Sequence, residues 1–197
     1  MGHRASSMMN AEPETTDTRR PGALLLHICC GPCATATEEF WRAEGLEVIG
    51  LFYNPNIQPF QEHRRRLEGA RTLAQARSFR LVEDASYDPA EWFRLVGLRG
   101  EDRCRACIGM RLEAAARHAV GVGATTLSTS LAISPWQDHE AIREGGAEAA
   151  RRHGLSFLYE DLRPRYRESR HQARELDLYR QQYCGCILSE WERYRGA

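Results

Sequence analysis

Apolar and polar positions along the chain alternate between two periods, and the alternation predicts an ordered series of strands and helices. "ALLLHI" (residues 23–28) is short and apolar throughout, the pattern of a strand buried on both faces. "ATATEEFWRAEG" follows with helical spacing and closes on Gly45. "LEVIGLFY" (46–53) predicts a second strand, ended by the breaker-rich "NPNIQP". Residues 60–77 predict an arginine-rich helix, "FRLVED" a third strand, and Asp88-Pro89 the cap of a helix ending at roughly Val96. A helix over 104–120, a fourth strand "ATTLSTS", a helix over 138–153 and a fifth strand "LSFLYED" complete the alternation. Two helical stretches flank the last two cysteines.

This order predicts the α/β class: a single domain over 23–197 with an open, mostly parallel sheet of about five strands and helices on both faces. Ligands of such sheets sit at the carboxyl ends of the strands. "HICCGPC" ends the first strand, and "NPNIQP" and "STSLAISPW" follow the second and fourth, so all three loops should share that edge. Residues 1–22 are polar, lack the apolar segment of a secretory signal, and are expected to form a disordered tail. No apolar run approaches the ~18–20 residues of a membrane span. A cytoplasmic location follows as the default.

Composition sharpens the chemistry. The 197 residues carry no net charge, so no global polyanion partner is implied, and 42% are hydrophobic, enough for a core. All 27 basic residues are arginine, which excludes lysine Schiff bases and a P-loop lysine. The seven cysteines fall in three groups: Cys29, Cys30 and Cys33; Cys104 and Cys107; Cys184 and Cys186. Clustered thiols in a reducing compartment bind metal or do redox work more often than they form disulfides.

Geometry and count narrow this further. Cys104 and Cys107, at i and i+3 near a helix start, form a compact chelate favoured by the helix dipole. Adjacent Cys29 and Cys30 should point apart if the backbone is extended. Cys184 and Cys186 would stand roughly 6.5 Å apart if extended, better suited to two neighbouring metals than to one. Seven thiols exceed the four of a structural zinc or a 4Fe–4S cluster by three. The count suggests a cluster plus a second metal or an open, reactive position. The C-x3-C-x2-C radical spacing is absent, because Ala36 stands where its third cysteine would be. No G-x-G-x-x-G follows a predicted strand, so electrons should come from an external donor rather than a bound nicotinamide.

Six motifs in order carry a family resemblance: "LLLHICCGPC", "LFYNPNIQP", "RCRACIGMRLEAAA", "STSLAISPWQDHE", "FLYEDLRPRYRES" and "LYRQQYCGCILSE". Together they resemble epoxyqueuosine reductase of the QueH type, over residues 23 to 193. The resemblance implies reductive deoxygenation of epoxyqueuosine to queuosine at the tRNA wobble position. It also implies a 4Fe–4S cluster with a nearby additional mononuclear iron, without cobalamin.

On that footing Cys30, Cys104, Cys107 and Cys184 are expected to hold the cluster, and Cys29, Cys33 and Cys186 the second iron. Tyr53, Asp138, His139 and Tyr183 are candidate proton donors, although Tyr53 could simply end a strand and Asp138 is a credible helix cap. His27 reads as a buried, hydrogen-bonded strand residue. For tRNA, "HRRR" offers Arg64, Arg65 and Arg66, and "RPRYRESR" offers Arg163, Arg165, Tyr166 and Arg167, suited to phosphate grip and base stacking. Two other classes stay open. A sulfur-transferring tRNA-modifying enzyme would want a phosphate loop, which is not found. A zinc-stapled RNA-binding module would be colourless where an iron–sulfur protein is brown.

Overall fold

The computed structural model describes residues 20–84, 86–97 and 99–196. Five parallel strands form one open sheet in the order β3-β2-β1-β4-β5: β1 Arg20–His27, β2 Glu47–Tyr53, β3 Arg80–Asp84, β4 Ala124–Thr129 and β5 Ser156–Phe157. The seven α-helices are α1 Gly31–Ala43, α2 Phe60–Arg77, α3 Pro89–Trp92, α4 Arg103–Gly121, α5 His139–Arg152, α6 Tyr166–Glu175 and α7 Ile187–Tyr194. The α/β class, the parallel sheet and its five strands are as the alternation predicts. The tail expected over 1–22 lies outside the described residues up to residue 19, and β1 begins at Arg20. No helix among the described residues is long and apolar enough to cross a membrane.

The strand order explains why "ALLLHI" shows no alternation. β1 is central, with Leu25 paired to Ile49 on one side and to Leu127 on the other. Leu24 and Leu26 pack on one face against Trp41 of α1 and Leu67 and Leu73 of α2. Ala23 and Leu25 pack on the opposite face with Ile108 and Leu112 of α4 and Ile142 of α5. Both faces are covered, so every position must be apolar.

From β1 the chain runs outward to β2 and β3, then returns across the sheet to β4 and β5. The direction of winding therefore reverses between β1 and β4, the position where open α/β sheets leave a crevice. His27 closes β1 there. It is fully buried, with Nδ1 2.9 Å from the Thr129 hydroxyl and Nε2 3.2 Å from the Tyr53 carbonyl, so it ties the ends of all three central strands. Burial depresses its pKa to about 4, so the ring is neutral near pH 7.

Two expectations need correction. The fifth strand is Ser156–Phe157 rather than 155–161, because this edge segment leaves the sheet early and Leu162 donates instead to the Ala132 carbonyl, 3.2 Å away in the loop after β4. The helix expected to reach Val96 stops at Trp92 and continues as a π turn over Phe93–Gly97. Its cap is as expected, with Asp88 accepting from the Glu91 N–H at 2.9 Å.

Close packing of α1 on α2 fixes the start of α1, the helix that follows the first cysteines. A Cβ at Gly31 would stand 2.5 Å from the Gly69 carbonyl oxygen, a backbone atom that cannot rotate away. Gly31→Ala should therefore lower stability by about 1–3 kcal/mol. Gly109→Ala in α4, where a Cβ meets nothing, should be neutral or stabilising by up to about 1 kcal/mol. Urea unfolding of the two variants checks the contrast.

Candidate metal centre

The first cysteine group is built by the turn from β1 into α1. Cys29 sits in a bend, and Cys30 is the N-cap of α1 with an extended φ of −168°. Cys33 lies in the first helical turn and donates its N–H to Cys30 Sγ at 3.4 Å. All three side chains are buried, and their sulfurs lie within 4.8 Å of one another. Cys29 and Cys30 do not point apart as expected: their sulfurs are 3.8 Å apart, because the strand has ended at His27 and the side chains no longer alternate. Ser130, just past β4, accepts from the Cys29 N–H at 3.1 Å and donates to its sulfur at 3.4 Å. Gln181 donates to Cys33 Sγ at 3.4 Å.

The three thiols of this group are pushed in opposite directions. Hydrogen bonds from Cys30 and Cys33, helped by Ser130, hold the Cys29 thiol well below its ordinary range. Burial pushes Cys30 up, and the bond to Cys29 pushes Cys33 up. The positive end of α1 acts on the neighbouring thiols in the direction that favours the thiolate form.

The other four cysteines line one pocket, together with Asn56, Trp92, Arg103, Ile108, Arg111 and Gln137. Cys104 and Cys107 come from the first turns of α4, and Cys186 caps α7 by accepting from the Ser189 N–H at 3.4 Å. Gln137 donates to Cys184 Sγ at 3.3 Å. Cys107 and Cys186 are buried, whereas Cys104 and Cys184 are exposed. Burial raises the Cys104 and Cys107 thiols, and the Arg111 guanidinium opposes this at Cys107. All seven cysteines are free.

Arg66 of "HRRR" and Gln58 of "NPNIQP" hold the last cysteine loop in place. Arg66, expected at a tRNA surface, is buried at 2% exposure and its guanidinium is turned inward. Glu62 pairs with its Nε at 2.8 Å, and its two terminal nitrogens donate to the carbonyls of Cys184 at 2.7 Å and Tyr183 at 3.0 Å. Gln58, at the end of "NPNIQP", donates its N–H to the Gly185 carbonyl at 2.8 Å and accepts from Ile187 N–H at 3.1 Å. Gly185 has φ of +149°, and a Cβ there would lie 3.1 Å from both Asn56 and Ile57, so the loop closes only with glycine.

The candidate proton donors separate accordingly. Tyr183 donates its hydroxyl proton to the Gln58 carbonyl at 2.7 Å, and burial raises its pKa. Asp138 caps α5, accepting from Ala141 N–H at 2.9 Å. His139 bridges the Tyr159 hydroxyl and the Ser134 carbonyl, both at 2.8 Å. Tyr53 ends β2, half-buried, and burial raises its hydroxyl pKa. Among the tRNA candidates, Arg64, Arg65 and Arg167 are exposed. Arg163 forks onto Asp161, and Arg165 is engaged by Glu168 and Glu39. Tyr166 meets the exposed Trp136 edge-on, with ring centroids 5.2 Å apart.

The geometry therefore sorts the cysteines as three and four, with Cys30 beside Cys29 and Cys33, and Cys186 beside Cys104, Cys107 and Cys184. The expected split instead set Cys30 with Cys104, Cys107 and Cys184, and Cys186 with Cys29 and Cys33. The reason is local: a helix cap brings Cys30 back over its own turn, and the left-handed Gly185 turns both flanking thiols into one pocket. Sequence reasoning missed Arg111, whose only signal is its place one turn after Cys107. If Gly185 sets this loop, Gly185→Ala should make Cys186 alkylate at least tenfold faster in the folded protein while Cys30 keeps its rate. Mass-spectrometric thiol footprinting reads both, and unchanged protection of Cys186 would contradict the role given to the loop.

Comparison with known proteins follows the same residues. A family model described as "Epoxyqueuosine reductase QueH" matches residues 24–192. A protein of that name from Dehalococcoides mccartyi is 46% identical over 171 residues, covering 87% of this chain and 94% of its own. Another from Thermotoga maritima is 33% identical over 181 residues, covering 87% and 92%. A third from Streptococcus pyogenes is 33% identical over 179 residues, covering 85% and 70%.

Proposed function

The chain belongs to the epoxyqueuosine reductase QueH family, and from that premise we propose that it deoxygenates epoxyqueuosine to queuosine at the wobble position of a tRNA anticodon. The observation that carries the reading is the convergence of seven unbridged thiols into two groups. The donor set fits the implied metals. Tetrahedral thiolate coordination of one ion spaces sulfurs by about 3.8 Å, and Cys29 and Cys30 stand at 3.8 Å. Cys29, Cys30 and Cys33 would hold the single iron. Cys104, Cys107, Cys184 and Cys186 would hold the 4Fe–4S cluster, which is larger than an ion and needs its thiolates further apart.

Converting an epoxide to an alkene consumes two electrons and two protons and releases water. When bound, the metals would supply the electrons singly, passed on from an external one-electron donor, and a Lewis-acidic position for the epoxide oxygen. The residues of the chain do the rest. Ser130, Gln137 and Gln181 orient the thiols through their hydrogen bonds. Tyr53 keeps its proton at neutral pH and, of the four candidate donors, carries no capping or bridging bond. We assign it the proton at its hydroxyl oxygen. Arg64, Arg65 and Arg167, free of ion pairs to described residues, would grip phosphates, and Tyr166 would stack on a base. A cytoplasmic location, where thiols stay reduced, completes the reading.

Anaerobic reconstitution with iron and sulfide, followed by reductant-driven assay on epoxyqueuosine-bearing anticodon RNA, tests the activity. Loss of one oxygen from the nucleoside is expected; a fully loaded protein that leaves the RNA unchanged would reject it. Tyr53→Phe should lower turnover on the order of 100-fold, and Tyr183→Phe by much less. Single Cys→Ala changes test the grouping by iron and sulfide analysis. Loss of Cys29 or Cys33 should remove iron without sulfide, and loss of Cys104 or Cys186 should remove both.

A further inference from the structure

Two arginines are buried to the same 2% exposure, and they are compensated differently. Arg66 has a carboxylate, Glu62, at 2.8 Å and two carbonyl acceptors. Arg111 donates its Nε to the Cys107 carbonyl at 3.2 Å, and among the described residues no carboxylate pairs with it. It lines the pocket of the four thiols. The ionisable groups that act on its charge are cysteines: Cys107, Cys184 and Cys186 from the pocket and Cys29 from the other group.

A guanidinium buried with no counter-ion is strongly destabilising, and arginine cannot escape by losing its proton. A chain that puts one on the inner face of α4, one turn from Cys107, must have an anion there for it. Neutral thiols do not serve; thiolates held by a metal do.

We propose that Arg111 is the fixed counter-charge of the thiolate centre, a positioning residue that eases reduction of the four-thiol group by offsetting its negative charge. The inference rests on the metal reading above. Each electron added makes a thiolate-bound centre one unit more negative, and a cation in a poorly solvated pocket stabilises that state more than the oxidised one. Net charge and hydrogen bonding around the sulfurs are among the protein's levers on cluster potential.

The test compares reconstituted full-length protein with Arg111→Gln, Arg111→Lys and, as a control, Arg105→Gln, an exposed arginine on the same helix. Iron and sulfide per chain and the midpoint potential by redox titration are measured for each. Arg111→Gln should disfavour reduction at least tenfold, a fall of about 59 mV for one electron. Arg111→Lys, which keeps the charge, and Arg105→Gln should each stay within threefold of the parent. Failure of Arg111→Gln to load while Arg111→Lys loads normally would also support the proposal. An unchanged potential in Arg111→Gln, or equal effects of Gln and Lys, would overturn it and leave the metal reading standing. A parent protein that takes up no iron or sulfide would bring down both.

Discussion

The guanidinium of Arg66 is the constraint on which the site depends. It spans 118 residues of chain, from α2 to the carbonyl of Cys184, and holds a loop that contributes two of the seven thiols. Glu62 neutralises it, so the bond is made by a charged but compensated donor, the strong kind of hydrogen bond. Gln58 and Gly185 complete the closure. Without that closure Cys184 and Cys186 would belong to a free C-terminal segment, and the pocket they share with Cys104 and Cys107 would not exist.

Electrostatics give the thiols a common setting. Cys30 and Cys186 cap α1 and α7, and Cys104 opens α4, so three helix N-termini face the sulfurs. Arg111 adds a whole charge where the helices add fractions. This arrangement is suited to several anionic sulfurs held close together in a low dielectric, which isolated buried thiols would resist by staying protonated. It also explains how a chain of zero net charge provides a locally cationic interior.

Much of the fold was legible because its signals are local. The bounds of α2 follow from residues 60–77 alone, and the central strand from the absence of polar positions in "ALLLHI". β5 is shorter than its apolar run suggests because the segment after it leaves the sheet and Leu162 donates to the Ala132 carbonyl beyond β4. The site was legible in its atoms but not in their partners. "HRRR" looks like a uniform basic patch, yet the helical turn exposes Arg64 and Arg65 and buries Arg66, and only the fold supplies the carbonyls that bury it. Likewise the assignment of Cys30 and Cys186 depended on backbone dihedrals at a helix cap and at Gly185, which residue spacing does not encode.

The central claim is that two distinct metal-binding groups are assembled from distant parts of the chain. An anomalous-difference map collected at the iron edge, from crystals of anaerobically reconstituted protein, addresses it most directly. The account predicts two separate iron features, a compact one against Cys29, Cys30 and Cys33 and a larger one within the pocket of Cys104, Cys107, Cys184 and Cys186. A single feature drawing sulfurs from both groups, or iron bound away from the cysteines, would contradict it.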